Sequence, residues 1–232
     1  SILASNLQRF YSKRTIGGRM VAVSPEKVED PHTLDSPIAF QIRKREEQID
    51  WASLFGNDNP VEIEIGCGKG RFVIASAMTY PDVNYVGIER ALEYFRIMNK
   101  RIMNRGLSNI RVLRDDAADL VRRFVADKSI AAYHIYFPDP WPKRRHNKRR
   151  LIKPSFISHV ERSLFTGGTL DFATDHEEYY IEATGFLDAS NILKRRDELP
   201  ERVRELGDVR TNYEVKYVAE GRKIHRAVYE KD

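Results

Sequence analysis

The chain has 232 residues, 41% hydrophobic and 31% charged, which fits one ordinary domain with a short appendage and excludes a disordered polyelectrolyte. No stretch approaches the roughly 18 uninterrupted apolar residues of a membrane span, no basic-then-apolar leader opens the chain, and the single cysteine, Cys67, can form no internal disulfide and sits in no metal-ligand cluster. A cytoplasmic protein without membrane or metal is therefore expected, and its net charge of +5, from 39 basic and 34 acidic residues, matters more for where it lies than for its size.

Residues 1–37 show no sustained periodicity and contain Gly17, Gly18, Pro25, Pro31 and Pro37, so an extended or partly disordered arm is expected there. A short helix is expected over Ile38–Gln48, still within an N-terminal appendage of residues 1–55. Residues 56–232 are expected to form one domain. Val61–Ile65 has the pattern of a short strand, and Arg71–Met78 that of a helix behind a glycine loop. A second strand follows at Asn84–Ile88, then a helix over Leu92–Asn104 that stops near Gly106. Ile110–Leu113 is a third strand and Ala117–Val125 a helix. Ile130–Phe137 is a long apolar strand halted by Pro138 and Pro140. Beyond it lie a helix at Ser155–Phe165, a strand at Gly168–Ala173 and a helix at Glu177–Leu187. A weaker strand is expected near Ile192 and a clear one at Ile224–Tyr229. This alternation specifies an α/β fold with a mostly parallel sheet and helices on both faces. Such folds bind ligands at the C-terminal ends of their strands, and every motif below falls at one of those ends.

Glu64-Ile65-Gly66-Cys67-Gly68-Lys69-Gly70 closes the first strand and opens a helix. Gly66, Gly68 and Gly70 permit a tight turn and close approach of the backbone to a ligand. A strand-to-helix turn without a ligand would use the same glycines, so this motif alone does not decide. Glu89 ends the second strand, 25 residues after Glu64, where an acid can hold both hydroxyls of a ribose or simply face solvent. Asp116 follows the third strand in Arg114-Asp115-Asp116-Ala117, where one acid suits an adenine amino group and the other the N-cap of the next helix. Acids at three successive strand ends suit adenosine with a charged tail. An acid directly before the glycine loop would repel the pyrophosphate of a dinucleotide, yet tolerates the ammonium and sulfonium of S-adenosylmethionine. The methyl donor is favoured over NAD.

The fourth strand runs into Phe137-Pro138-Asp139-Pro140-Trp141-Pro142-Lys143, then Arg144-Arg145-His146-Asn147-Lys148-Arg149-Arg150. The prolines stiffen the loop around Asp139. From Lys143 to Lys153 there are seven Lys or Arg and no acid, which suits a polyanionic partner or a solvated face. With Thr174-Asp175 after the fifth strand and Thr211-Asn212-Tyr213-Glu214 near the end, this segment closely resembles the bacterial tRNA (guanine-N7)-methyltransferase family over about residues 61–229. The resemblance implies a Rossmann-like class I methyltransferase fold of seven strands, the last antiparallel. It implies S-adenosylmethionine as donor, S-adenosylhomocysteine as product and the variable-loop guanine (position 46) of tRNA as acceptor. By motif, Glu64, Glu89, Asp116 and Asp139 line the donor site, and Asp139 is also the family's proposed catalytic residue. Lys143, Asp175, Thr211, Asn212, Tyr213 and Glu214 are the substrate-contacting positions. Arg144, Arg145, Lys148, Arg149 and Arg150 are expected to hold the RNA backbone. A monomer or homodimer without an obligatory protein partner is expected.

Guanine N7 carries an in-plane lone pair, so its methylation needs no base. Catalysis should consist of alignment and of stabilising the charge that moves onto the purine. Asp139 and Asp175 can accept from guanine N1–H and the N2 amino group, bonds that strengthen as the ring becomes cationic. Tyr213 either stacks on a base or packs in the core. Three rivals remain at this stage. They are a methyltransferase with another acceptor, a non-catalytic RNA-binding subunit and a nicotinamide dehydrogenase.

Overall fold

A computed structural model describes residues 48–198 and 211–232, apart from the side chains of residues 212 and 213. The arm expected over residues 1–37 and nearly all of the helix expected at 38–48 lie outside the described residues. Asp50 starts the first described helix, α1 (Trp51–Phe55), by accepting from the Ser53 N–H, and Gly56 ends it in the left-handed region. Trp51 and Phe55 insert from this helix into the main core.

Helices and strands then alternate as expected: β1 (Val61–Ile65), α2 (Arg71–Thr79), β2 (Asn84–Ile88), α3 (Leu92–Met103), β3 (Ile110–Leu113), α4 (Ala117–Phe124) and β4 (Ile130–Tyr136). After a 3-10 turn at Arg144–Arg149 come α5 (Pro154–Ser163), β5 (Leu164–Thr174), α6 (Glu177–Asp188), β6 (Leu193–Arg196), α7 (Asn212–Ala219) and β7 (His225–Lys231). The seven strands lie in the order β3-β2-β1-β4-β5-β7-β6. The first five are parallel to one another, and β7 runs antiparallel between β5 and β6. The mostly parallel sheet and its antiparallel last strand match expectation.

Most boundaries fall within two residues of expectation, and the passage from α5 to β5 departs most. The expected helix over Ser155–Phe165 ends at Ser163, and β5 begins at Leu164 instead of Gly168. The segment 165–168 is an irregularity in the ladder, because β4 and β5 shift register between the Ile130–Leu164 and Ala132–Thr169 pairs. Gly167 takes a φ of 81° there, and glycine adopts that value without steric cost. The helix α7 had not been expected. Its start signal is Thr211-x-x-Glu214, the pattern of a capping box.

All five residues of β1 are buried although two are acidic. Val61, Ile63 and Ile65 alternate onto the face that joins the main core, and period-2 geometry turns Glu62 and Glu64 to the opposite face. The centre of this parallel sheet is covered on both sides, so both carboxylates are carried into the interior. A second cluster, including Val73, Met98, Ile102 and Val112, packs α2 and α3 against β2 and β3.

Candidate active site

The turn after β1 is built by backbone conformation. Gly66, Gly68 and Gly70 have φ of 73°, 54° and 71°. Gly66 N–H donates to Ile88 O at 2.9 Å, and Gly70 N–H to Cys67 O at 2.8 Å. Gly70 is doubly constrained, since an added Cβ would come within 2.6 Å of Met98 Cγ. This turn brings the N-terminus of α2 beside Glu64, whose Oε2 accepts from Val73 N–H at 3.1 Å. The Glu64 residue is 3% exposed. Burial, offset in part by the Val73 bond and reinforced by the nearby Glu89 charge, pushes its pKa up to about 8. Glu89, at the end of β2, accepts from Gly68 N–H at 2.8 Å and from Ala91 N–H at 2.7 Å. It therefore bridges the glycine turn to the start of α3. Cys67 is buried with its Sγ 3.4 Å from Met98 Sδ, and burial raises its thiol pKa, as suits a packing residue.

A cleft opens above this turn, lined by Glu64, the segment from Gly66 to Lys69, Phe72, Tyr136 and Thr211. Phe72 and Tyr136 meet edge to face with ring centroids 4.9 Å apart. Tyr136 donates to Asp171 Oδ2 at 2.6 Å, and Arg226 lies over its ring at 5.1 Å. Arg226 Nε and Asp171 Oδ1 are 3.2 Å apart, an ion pair without hydrogen-bond geometry. Burial lowers the Arg226 pKa, but Asp171, Tyr136 and Glu214 together hold it above its ordinary value. The chain extends inward through His134, whose ring nitrogens lie 3.2 Å from the Tyr136 hydroxyl and 3.0 Å from Glu62 Oε2. A polar strip thus crosses one face of the sheet from β1 to β7. His134 and Tyr136 carry no motif signal in the sequence, because such a strip exists only once the strands are in register.

The remaining expected residues distribute unevenly. Asp116 caps α4, its Oδ1 accepting from Ala118 and Asp119 N–H at 3.0 and 3.1 Å. Its other oxygen lies 3.8 Å from Arg90 on an exposed edge. Asp139 stands exposed in the loop after β4 and does not line the cleft at Glu64. Its loop is bounded by Phe137 and Trp141, both with positive φ, 52° and 45°. Asn147, with its amide nitrogen turned inward, donates to Trp141 O and Lys143 O and closes the loop. Lys143, Arg144, Arg145, Lys148 and Arg149 are exposed on this segment, with the Arg149 guanidinium over the Trp141 ring at 4.8 Å.

Arg150 departs from that exposed basic face. Its side chain is 2% exposed. It donates to Pro140 O at 2.8 Å, to Glu182 at 2.6 Å and to Glu178 at 3.2 Å. It therefore clamps the proline-rich loop to α6, a role that requires burial and excludes a place among the solvent-facing cations. Thr211 is the N-cap of α7, accepting from Glu214 N–H at 3.1 Å. The side chains of Asn212 and Tyr213 lie outside the described residues. Asp175, just past β5, is paired at 2.7 Å with Arg222, a residue that sequence reading had not singled out.

The family described as "Putative methyltransferase" matches residues 58–227. The tRNA (guanine-N(7)-)-methyltransferase of Geobacter metallireducens is 35% identical over 219 residues, covering 92% of this chain and 96% of that protein. The enzyme of the same name from Geobacillus thermodenitrificans is 37% identical over 183 residues, covering 76% of this chain and 82% of that one. The chain belongs to the tRNA (guanine-N7)-methyltransferase family. Among solved structures, a 30S ribosomal methyltransferase from an uncultured bacterium superposes with a TM-score of 0.54 at 14% identity, covering 80% of this chain and 95% of that one. An antibiotic-related methyltransferase gives 0.51 at 22%, covering 81% and 96%. This family member thus has the class I methyltransferase fold. Its family motifs fall at the C-terminal ends of β1, β2, β4 and β5 and at the start of α7. No helix among its described residues is long and apolar enough to cross a membrane.

Proposed function

We propose that this protein transfers a methyl group to N7 of the variable-loop guanine (position 46) of tRNA, leaving 7-methylguanosine, and works in the cytoplasm as a monomer or homodimer. The observation that carries this reading is a buried Glu64 at the glycine turn, on a strand two places from the one that ends at Asp175 and next to the one that leads to Asp139. The residues around the cleft suit S-adenosylmethionine chemically. Glu64 is buried and accepts a hydrogen bond from Val73 N–H, so a cationic ligand would supply the counter-charge that stabilises its ionised form. Bound here, S-adenosylmethionine supplies an electrophilic methyl group to the guanine.

This chain's own residues then have separable tasks. The backbone from Gly66 to Gly70 and Glu64 hold the amino-acid end of the donor. Glu89, fixed by Gly68 and Ala91, presents its remaining lone pairs to the ribose hydroxyls. Asp116 presents to the adenine edge the oxygen that α4 does not use. Asp139 and Asp175 accept from the guanine edge, align N7 and stabilise the positive charge that develops on the ring. Lys143, Arg144, Arg145, Lys148 and Arg149 hold phosphates. Thr211 and Glu214 set the start of α7 beside the cleft, with Asn212 and Tyr213 contacting the substrate. The test is incubation of the protein with methyl-labelled donor and unmethylated bulk tRNA, then digestion to nucleosides. The label should appear in 7-methylguanosine, and label in another nucleoside, or none, refutes the reading.

A further inference from the structure

The Asp175 carboxylate is already engaged. Arg222 Nη1 donates to its Oδ2 at 2.7 Å, while Arg222 Nη2 lies 2.8 Å from Glu220 Oε2. The antiparallel last strand brings this about. Arg222 lies between α7 and β7, three residues before His225, and His225 pairs with Thr174 at the end of β5. The guanidinium also lies 4.4 Å over the Tyr217 ring, and that ring meets Phe137 edge-on at 5.5 Å. Phe137 has a φ of 52°, a conformation that a bulky side chain keeps only when its surroundings hold it. Pro138 and Asp139 follow directly. One guanidinium therefore joins the two loops that carry Asp139 and Asp175.

We propose that Arg222 is a positioning residue for the acceptor guanine, an inference that rests on the assignment of Asp175 to the guanine edge. Arg222 fixes the carboxylate through Oδ2 and leaves Oδ1, which accepts no hydrogen bond among the described residues, for the base. The Tyr217 and Phe137 rings pack beside this pair, next to the loop that carries Asp139. Its planar fork serves both carboxylates, a geometry that a lysine ammonium reproduces poorly. Two carboxylates on one guanidinium leave the cluster with net negative charge, which favours a base that becomes cationic as it is methylated.

The test is a double-mutant cycle of Arg222→Met and Asp175→Asn, read as kcat/KM for tRNA at saturating donor, with donor calorimetry and melting curves alongside. Arg222→Met should lower kcat/KM by about tenfold or more, leave donor affinity and melting unchanged, and be partly rescued by Arg222→Lys. In the Asp175→Asn background the same change should cost less than about twofold, because the carboxylate through which it acts is gone. Two costs that multiply, or a loss of activity matched by a fall in melting temperature, would overturn the role of Arg222. An Asp175→Asn enzyme with wild-type kcat/KM would instead overturn the assignment of Asp175, and the inference with it.

Discussion

Glu64→Gln isolates the physical chemistry of the donor cleft. An ordinary glutamate titrates near 4.5, and burial brings Glu64 to about 8. Moving a carboxyl that far is worth roughly 5 kcal/mol between its two protonation states, at about 1.36 kcal/mol per pH decade. The sign follows from the proton count. Below pH 4.5 the carboxyl is protonated in both the folded and the unfolded chain. Between 4.5 and 8 the unfolded chain releases the proton and the folded one keeps it, so the stability of the ligand-free protein falls as pH rises. Above 8 both are ionised and the loss is complete. Glutamine mimics the neutral form and can still accept from Val73 N–H. The variant should match the wild type near pH 4.5 and exceed it by roughly 3–5 kcal/mol at pH 8.5. Urea unfolding of both proteins without ligand, from pH 4.5 to 9, measures this difference. A cationic donor should ionise Glu64, so at pH 7 the wild type should release close to one proton on binding, seen by calorimetry in buffers of different ionisation enthalpy. Glu64→Gln should release none and bind more weakly. A stability difference that does not change with pH would refute the reasoning, because a carboxyl that stays ionised has no such slope.

Glu89→Ala should weaken donor binding by about 1.5–3 kcal/mol, the scale of hydrogen bonds to a charged group, and unchanged calorimetric affinity would refute the ribose assignment. Asp139→Asn should slow single-turnover methyl transfer about 100-fold with the melting curve unchanged, because the residue is exposed and its loop is held by Arg150 and Asn147. A folded Asn variant at the wild-type rate would remove Asp139 from the mechanism. Changing Arg144, Arg145 and Arg149 together to Ala should flatten the salt dependence of tRNA binding without lowering stability. Arg150→Met should do the reverse, destabilising the fold by about 1–3 kcal/mol through the lost bonds to Pro140 O, Glu178 and Glu182 while sparing the salt slope, as filter binding and denaturant curves would show.

The order of strands and helices was legible in the sequence because it rests on local causes. Proline stops after β4, glycine turns after β1 and apolar runs of strand length each act within a few residues. The same holds for the chemistry-bearing motifs, whose residues are contiguous at strand ends. The helix α7 was also written locally, in the Thr211-x-x-Glu214 cap, and was missed because those residues were weighed only as ligand contacts. What tertiary structure alone decided depends on residues far apart in the chain. The basic run reads as uniform in sequence, yet α6 supplies Glu178 and Glu182 and draws Arg150 out of it into the interior. Glu62 and Glu64 alternate in β1 like residues of a half-exposed strand, and only a sheet covered on both faces buries them and raises the Glu64 pKa. The pairing of Arg222 with Asp175, 47 residues apart, exists because β7 runs antiparallel beside β5. Periodicity reports which side chains share a face, whereas register and covering layers decide which charges meet there and how much water they lose.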